Sequence, residues 1–180
     1  MRFLSIIMRR ALAWTIITAA VVCAVAVVLQ PYADSRQKAE KGIIAVGETA
    51  PDFAAVDLSG EQVQLSQYRG QVVLLHFWAS WCAPCVREMP LLNRLSQSHN
   101  KNVKTIFVNV GESKATVREY LAENGFELDV VIDATGKIAG SYHVPGLPAT
   151  MIVDRNGTFD HILFGELHED MPIDRWLAEL

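Results

Sequence analysis

Cysteine is scarce in this sequence, with three in 180 residues. Two of them, Cys82 and Cys85, stand close together, but no second Cys or His pair follows at metal-ligand spacing, so the partner half of a zinc site is missing. Internal repeats and low-complexity runs are also absent, which leaves one folded domain plus an appendage as the reading of the length. Acidic residues are missing from the first ten positions, where Arg2, Arg9 and Arg10 stand. Beyond them 13 basic residues face 20 acidic ones, a formal charge of −7 for residues 11–180. That balance is unsuited to nucleic acid.

Charge of either sign is absent from Ala11 to Leu29, a stretch of nineteen residues. At about 1.5 Å per residue such a helix is long enough to cross a bilayer core. The basic flank before it keeps the N-terminus cytoplasmic and sends the rest of the chain out. A cleaved signal peptide is the competing reading, but the stretch exceeds the usual apolar length of about 7–15 residues and is followed by Gln30-Pro31-Tyr32 rather than a small-x-small site. Cys23, preceded by the bulky Val21 and Val22, reads as a buried membrane cysteine and not as a lipoprotein site. The expected organisation is therefore a cytoplasmic segment over 1–10, a transmembrane anchor over 11–29, a polar tether over 30–43 and an extracytoplasmic folded domain over 44–180.

What is present in that domain is an alternation of strand and helix signals. Phe53 to Asp57 and Gln62 to Leu65, around Ser59-Gly60, read as a hairpin. Val72 to Phe77 and Lys104 to Val110 are nearly continuous apolar runs, the pattern of strands covered on both faces. Between them Ala83 to Gln97 reads as a helix with Cys85, Met89, Leu92 and Leu95 on one face, Pro84 tolerated in its first turn and a kink expected at Pro90. Strand, helix, strand at this spacing implies a parallel pair with a crossover. Ser113 can cap a helix ending near Asn124-Gly125, Asp129 to Asp133 reads as a strand, and Gly136 to Tyr142 as a short helix. Ala149 to Val153 and Thr158 to Phe164 flank the hairpin signal Asn156-Gly157, and Asp170 to Leu180 is an amphipathic helix.

Cys82 falls at the junction of the first apolar strand and the helix. A thiolate there faces unpaired backbone N–H groups and the positive end of the helix dipole, which lower its pKa and mark it as the nucleophile. Cys85 lies one turn deeper, where it can resolve a mixed disulfide formed at Cys82. A static structural disulfide is the bland alternative, but a loop this small constrains the unfolded chain little.

The segment Trp81-Cys82-Ala83-Pro84-Cys85, at a strand-to-helix junction, resembles the active site of the thioredoxin superfamily. The likeness extends through Gly47-Glu48-Thr49-Ala50-Pro51-Asp52-Phe53, Val73 to Trp81, Asn109-Val110-Gly111-Glu112-Ser113-Lys114 and Gly146-Leu147-Pro148-Ala149-Thr150. It is strongest to the ResA/TlpA/CcmG branch of tethered thiol-disulfide oxidoreductases. The resemblance implies a thioredoxin-like α/β fold, a central mixed sheet flanked by helices with an N-terminal β-hairpin extension and a central insertion. It places Pro148 as the cis-proline beside the dithiol, with Leu147 as the residue whose backbone meets the substrate. It marks Glu88 as the acidic residue of ResA-type proteins, able to shuttle the resolving thiol's proton from a partly shielded site while opposing thiolate formation.

Trp81 is expected to shape the docking surface and Trp78 to be core, while His76 and His143 read as hydrogen-bonded structural residues. The implied activity is reduction of disulfides in exported proteins, in particular the Cys-x-x-Cys-His disulfide of apocytochrome c. A membrane thiol transporter of the CcdA/DsbD type would supply electrons, with no cofactor beyond the cysteine pair and no metal. Two alternatives belong to other classes. A copper module would need His143 as a third ligand. A peroxiredoxin, suggested by Ala50-Pro51-Asp52-Phe53, would need Thr or Ser where Ala79 stands.

Overall fold

The computed structural model describes residues 44–98 and 103–180. The predicted anchor over 11–29 and tether over 30–43 lie outside the described residues, among which no helix is long and apolar enough to cross a membrane.

Seven strands form one mixed sheet: β1 (Ala54–Asp57), β2 (Gln62–Gln64), β3 (Val72–Trp78), β4 (Val103–Val110), β5 (Val130–Asp133), β6 (Ala149–Val153) and β7 (Phe159–Phe164). Their order across the sheet is β2-β1-β5-β4-β3-β6-β7. The helices are α1 (Ala83–Ser98), α2 (Lys114–Asn124), α3 (Lys137–Ser141) and α4 (Ile173–Glu179), with a short 3-10 turn at Leu65–Tyr68. The expected hairpin is there as β1–β2, and β5 joins it antiparallel to the main sheet while pairing parallel with β4.

β3 is the keel of the sheet, buried at every one of its residues and hydrogen-bonded on both sides, parallel to β4 and antiparallel to β6. Its even-numbered Val72, Leu74 and Trp78 join a cluster with Met89, Leu92 and Leu95 of α1, Val117 and Leu121 of α2, and Ile173 and Leu177 of α4. Its odd-numbered Val73, Leu75 and Phe77 join the cluster on the other face, with Ile138, Ala139 and Tyr142 around α3 and Ala50, Phe53 and Leu65. Each wholly buried leucine of β3 contributes on the order of 1.5–3 kcal/mol, so both faces hold the strand in place.

α1 spans the expected helix and continues through Pro90, which is exposed and removes one N–H from the ladder. Strand ends shift by single residues from the sequence expectation, and two helix starts differ from it. α3 starts after Gly136, whose φ of 70° is left-handed. α4 starts after Pro172 rather than at Asp170, because the residue before a proline is held out of the helical region.

The β6–β7 turn closes around Asp154, whose carboxylate accepts the N–H groups of Asn156 (2.9 Å) and Thr158 (2.7 Å). Gly157 has φ 78°, and a Cβ there would fall 0.8 Å from Nη1 of Arg69. Gly157→Ala is therefore expected to cost about 1–2 kcal/mol through the left-handed backbone alone, plus displacement of the Arg69 guanidinium. In an Arg69→Ala background only the steric part should vanish. Urea denaturation of the four proteins checks this, and an unchanged Gly157→Ala midpoint would contradict it.

Candidate active site

β3 ends at Trp78, and the chain then turns through Ala79, Ser80 and Trp81 into α1. The turn is pinned by Glu112, just past the end of β4. Its carboxylate accepts the Ser80 N–H (2.7 Å), the Ser80 hydroxyl (2.5 Å) and the Nδ2 of Asn109 (2.7 Å). Glu112 is buried, so this fan of donors offsets the cost of holding a carboxylate away from water. Sequence reading placed Glu112 in a matching segment without giving it a role.

Cys82 caps α1. Its carbonyl accepts the Val86 N–H at 3.0 Å, and its Sγ accepts the Cys85 N–H at 3.3 Å, the contact an N-cap oxygen ordinarily makes with the third helical residue. The first turn of α1 contains no acid, so the positive end of the helix dipole acts on this sulfur uncancelled from within that turn. Cys82 and Cys85 form a disulfide with S–S 2.05 Å; Cys85 is wholly buried and Cys82 is 5% exposed. Cys82 is the less buried of the two residues, the order that attack and resolution require. Trp81 beside them is 69% exposed, an apolar side chain left facing solvent. The Leu147–Pro148 bond is cis. Pro148 is buried, and Leu147 packs against both clusters, one of which contains the two cysteines.

Glu88 is 2% exposed, more deeply buried than the partial shielding expected from sequence. Its Oε2 accepts the N–H of Leu167, in the segment after β7. That segment is strapped to α1 next door, where Arg87 and Glu166 form a two-pronged ion pair. Burial pushes the Glu88 carboxyl up to about 7, against the lowering effect of the Leu167 N–H; Glu166 raises it further and Arg87 lowers it. Oε1 of Glu88 lies 3.5 Å from Nε2 of His76, which is wholly buried on β3. Burial lowers His76 to about 3, so the ring is neutral at neutral pH and the contact is a polar one rather than an ion pair. The other ring nitrogen, Nδ1, lies 3.0 Å from the Thr150 hydroxyl.

Trp78 is wholly buried, as expected of a core residue. His143 is not the hydrogen-bonded structural residue expected: it is exposed, on a left-handed backbone with φ 46°. Among the described residues no group of three or more His, Cys, Asp or Glu side chains is placed to hold a metal ion.

The model of the AhpC/TSA family matches residues 46–162. The thiol-disulfide oxidoreductase ResA of Geobacillus kaustophilus is 41% identical over 142 residues, 78% of this chain and 81% of that protein. The ResA of Bacillus subtilis is 34% identical over 76% of each chain. The chain belongs to the AhpC/TSA family, as a ResA-type thiol-disulfide oxidoreductase. Among solved structures, a putative thiol:disulfide interchange protein DsbE from Chlorobium tepidum is 31% identical, with a TM-score of 0.70, covering 76% of this chain and 98% of that one. Family membership does not bring a peroxidatic site to this oxidoreductase, because the position three before Cys82 is the buried, hydroxyl-free Ala79.

The carboxyl and the imidazole bend the stability curve in opposite directions. Folded Glu88 keeps its proton from the ordinary 4.5 up to about 7 while the unfolded chain gives it up, so stability falls as pH rises through that window. Unfolded His76 takes up a proton from 6.5 downward while the folded ring resists until about 3, so stability falls as pH drops through that range. Glu88→Gln removes only the first limb. Relative to the parent it is expected to gain on the order of 3 kcal/mol between pH 4 and pH 8, read by urea denaturation across pH. Parallel curves would contradict the buried titration.

Proposed function

We propose that this oxidoreductase is membrane-tethered and extracytoplasmic and reduces the Cys-x-x-Cys-His disulfide of apocytochrome c. In this reading a membrane thiol transporter of the CcdA/DsbD type returns electrons to its cysteine pair. The observation that carries the direction of the chemistry is the pairing of a helix-capping Cys82 sulfur with a buried carboxyl one turn beyond Cys85. The charge-free stretch over residues 11–29 with its arginine flank supports the tether, and likeness to ResA supports the substrate.

The Cys82 thiolate attacks one sulfur of the substrate disulfide; the S–S bond breaks and the departing substrate sulfur leaves as a thiolate. Cys85 then gives its proton to ionised Glu88 and attacks the Cys82 sulfur. The Cys82–Cys85 bond forms as the second substrate thiolate departs, so two electrons have passed to the substrate. Glu88 raised to about 7 exchanges a proton efficiently near neutral pH. Trp81, Leu147 and Pro148 form the surface on which the substrate peptide rests, Trp81 through exposed apolar area and Leu147 through its backbone.

Cys85→Ser should trap substrates on Cys82 as mixed disulfides, identified by mass spectrometry from cells. Apocytochromes c are the expected catch. A broad set of exported proteins would replace the specific substrate with a general reductase role, and no catch, with Cys82→Ser still active, would remove the catalytic reading altogether. Glu88→Gln should slow the resolving step about 100-fold or more and let the mixed disulfide accumulate in stopped-flow. An unchanged resolving rate would take Glu88 out of the mechanism.

A further inference from the structure

The chemistry above uses the Glu88 carboxyl but leaves its buried neighbour without a role. His76 projects from the middle of β3 onto the face covered by α1, where its strand neighbours Leu74 and Trp78 are packed in apolar surroundings. Three groups meet its ring: Thr150 from β6, the Phe107 ring of β4 at 5.8 Å edge-on, and Glu88 from α1. Nε2 of His76 and Oε1 of Glu88 are both buried, and neither has another hydrogen-bond partner among the described residues. They face one another at 3.5 Å, a gap that closes to an ordinary hydrogen bond with a shift of about 0.5 Å.

A carboxyl that gains and loses a proton poses a particular problem when buried. Ionised, each oxygen is only an acceptor; protonated, one of them becomes a donor. A fixed donor such as a backbone N–H satisfies the first state and leaves the second unpaired, at a cost of about 1–3 kcal/mol. The Leu167 N–H already serves Oε2 in that fixed manner. Oε1 needs a partner that can change its role, and a neutral imidazole is one, because it has one donor and one acceptor that exchange places between tautomers.

We propose that His76 is a positioning residue for Glu88, switching ring tautomer so that the carboxyl is hydrogen-bonded both when ionised and when protonated. With Glu88 ionised, the ring hydrogen sits on Nε2 and is donated to Oε1, while Nδ1 accepts from the Thr150 hydroxyl. With Glu88 protonated, the carboxyl hydrogen is donated to Nε2, while the ring hydrogen sits on Nδ1 and is donated to Thr150 Oγ1. The two end states differ by one proton on the Thr150–His76–Glu88 unit as a whole, and the ring is neutral in both. The charged groups that act on Glu88 are Arg87 on its own helix and Glu166 on the strapped segment, and the thiol of Cys85 lies one turn before it on α1. The inference rests on the reading that Glu88 carries the Cys85 proton, but the switch itself is observable without any turnover.

The test is long-range proton–nitrogen NMR of the full chain labelled with nitrogen-15 in histidine, followed from pH 5 to 9 beside the carbon-13 shift of the Glu88 carboxyl. The expected result is hydrogen on Nδ1 at the acid end and on Nε2 at the alkaline end, with the crossing at the Glu88 titration. Glu88→Gln should leave the ring in one tautomer throughout. His76→Leu should move the Glu88 titration upward by about one pH unit, because the hydrogen bond lost to the ionised carboxylate is stronger than the one lost to the protonated carboxyl. His76→Gln, whose amide can also donate or accept, should restore most of that shift. A single tautomer across the range in the parent protein, or an imidazolium forming beside an ionised Glu88, would overturn the switch. If the switch is seen but Glu88→Gln leaves the resolving rate intact, the catalytic reading of Glu88 fails and the switch stands. If Glu88→Gln slows resolution while the ring never changes tautomer, the switch alone fails.

Discussion

The Cys82 sulfur is held at the first turn of α1 by the Cys85 N–H, and the rest of the site takes its position from that contact. It holds because the strand that leads into it cannot move: β3 is buried on both faces and hydrogen-bonded on both edges. The turn between strand and helix has its own anchor in Glu112, which ties Ser80 to the end of β4. Once the helix start is set, helical periodicity delivers the remaining groups. Cys85 faces inward three residues on, and Glu88 follows after another three on the same side.

Two electrostatic influences then act on the sulfurs in opposite senses. The helix N-terminus and the Cys85 N–H favour a thiolate at Cys82. The buried carboxyl of Glu88, once ionised, disfavours negative charge on the sulfurs nearby. A strongly oxidising dithiol needs a stabilised reduced form, so under the proposed function an ionised carboxylate one turn beyond Cys85 is expected to pull the couple toward the reducing end. Burial raises the Glu88 carboxyl to about 7, against the lowering effect of the Leu167 N–H on the strap, and that value makes proton exchange near neutrality possible.

The features that were legible in the sequence were those written locally. The apolar run of β3, the two cysteines at a strand-to-helix junction, the Ser113 cap and the Gly146-Leu147-Pro148 loop all depend on neighbours a few residues away, and each appears as a feature of the fold. The groups that define the environment of the dithiol were not legible, because they meet only after folding. Glu112 reaches Ser80 across 32 positions and Leu167 reaches Glu88 across 79. The segment after β7 that meets Glu88 through Leu167 has no regular structure of its own. His76 read as a structural histidine, and its bond to Thr150 fits that reading; its second nitrogen, aimed at Glu88, belongs to a pairing between strand and helix faces that periodicity alone does not fix.

The account turns on the cysteine pair acting as a reductant, and its reduction potential tests that most directly. The full chain would be equilibrated anaerobically at pH 7 with dithiothreitol or glutathione buffers and the fraction of free Cys82 and Cys85 counted by alkylation and mass spectrometry. The account predicts a two-electron transition near the thioredoxin value of about −270 mV. A midpoint close to the oxidant DsbA, about −120 mV, would contradict it.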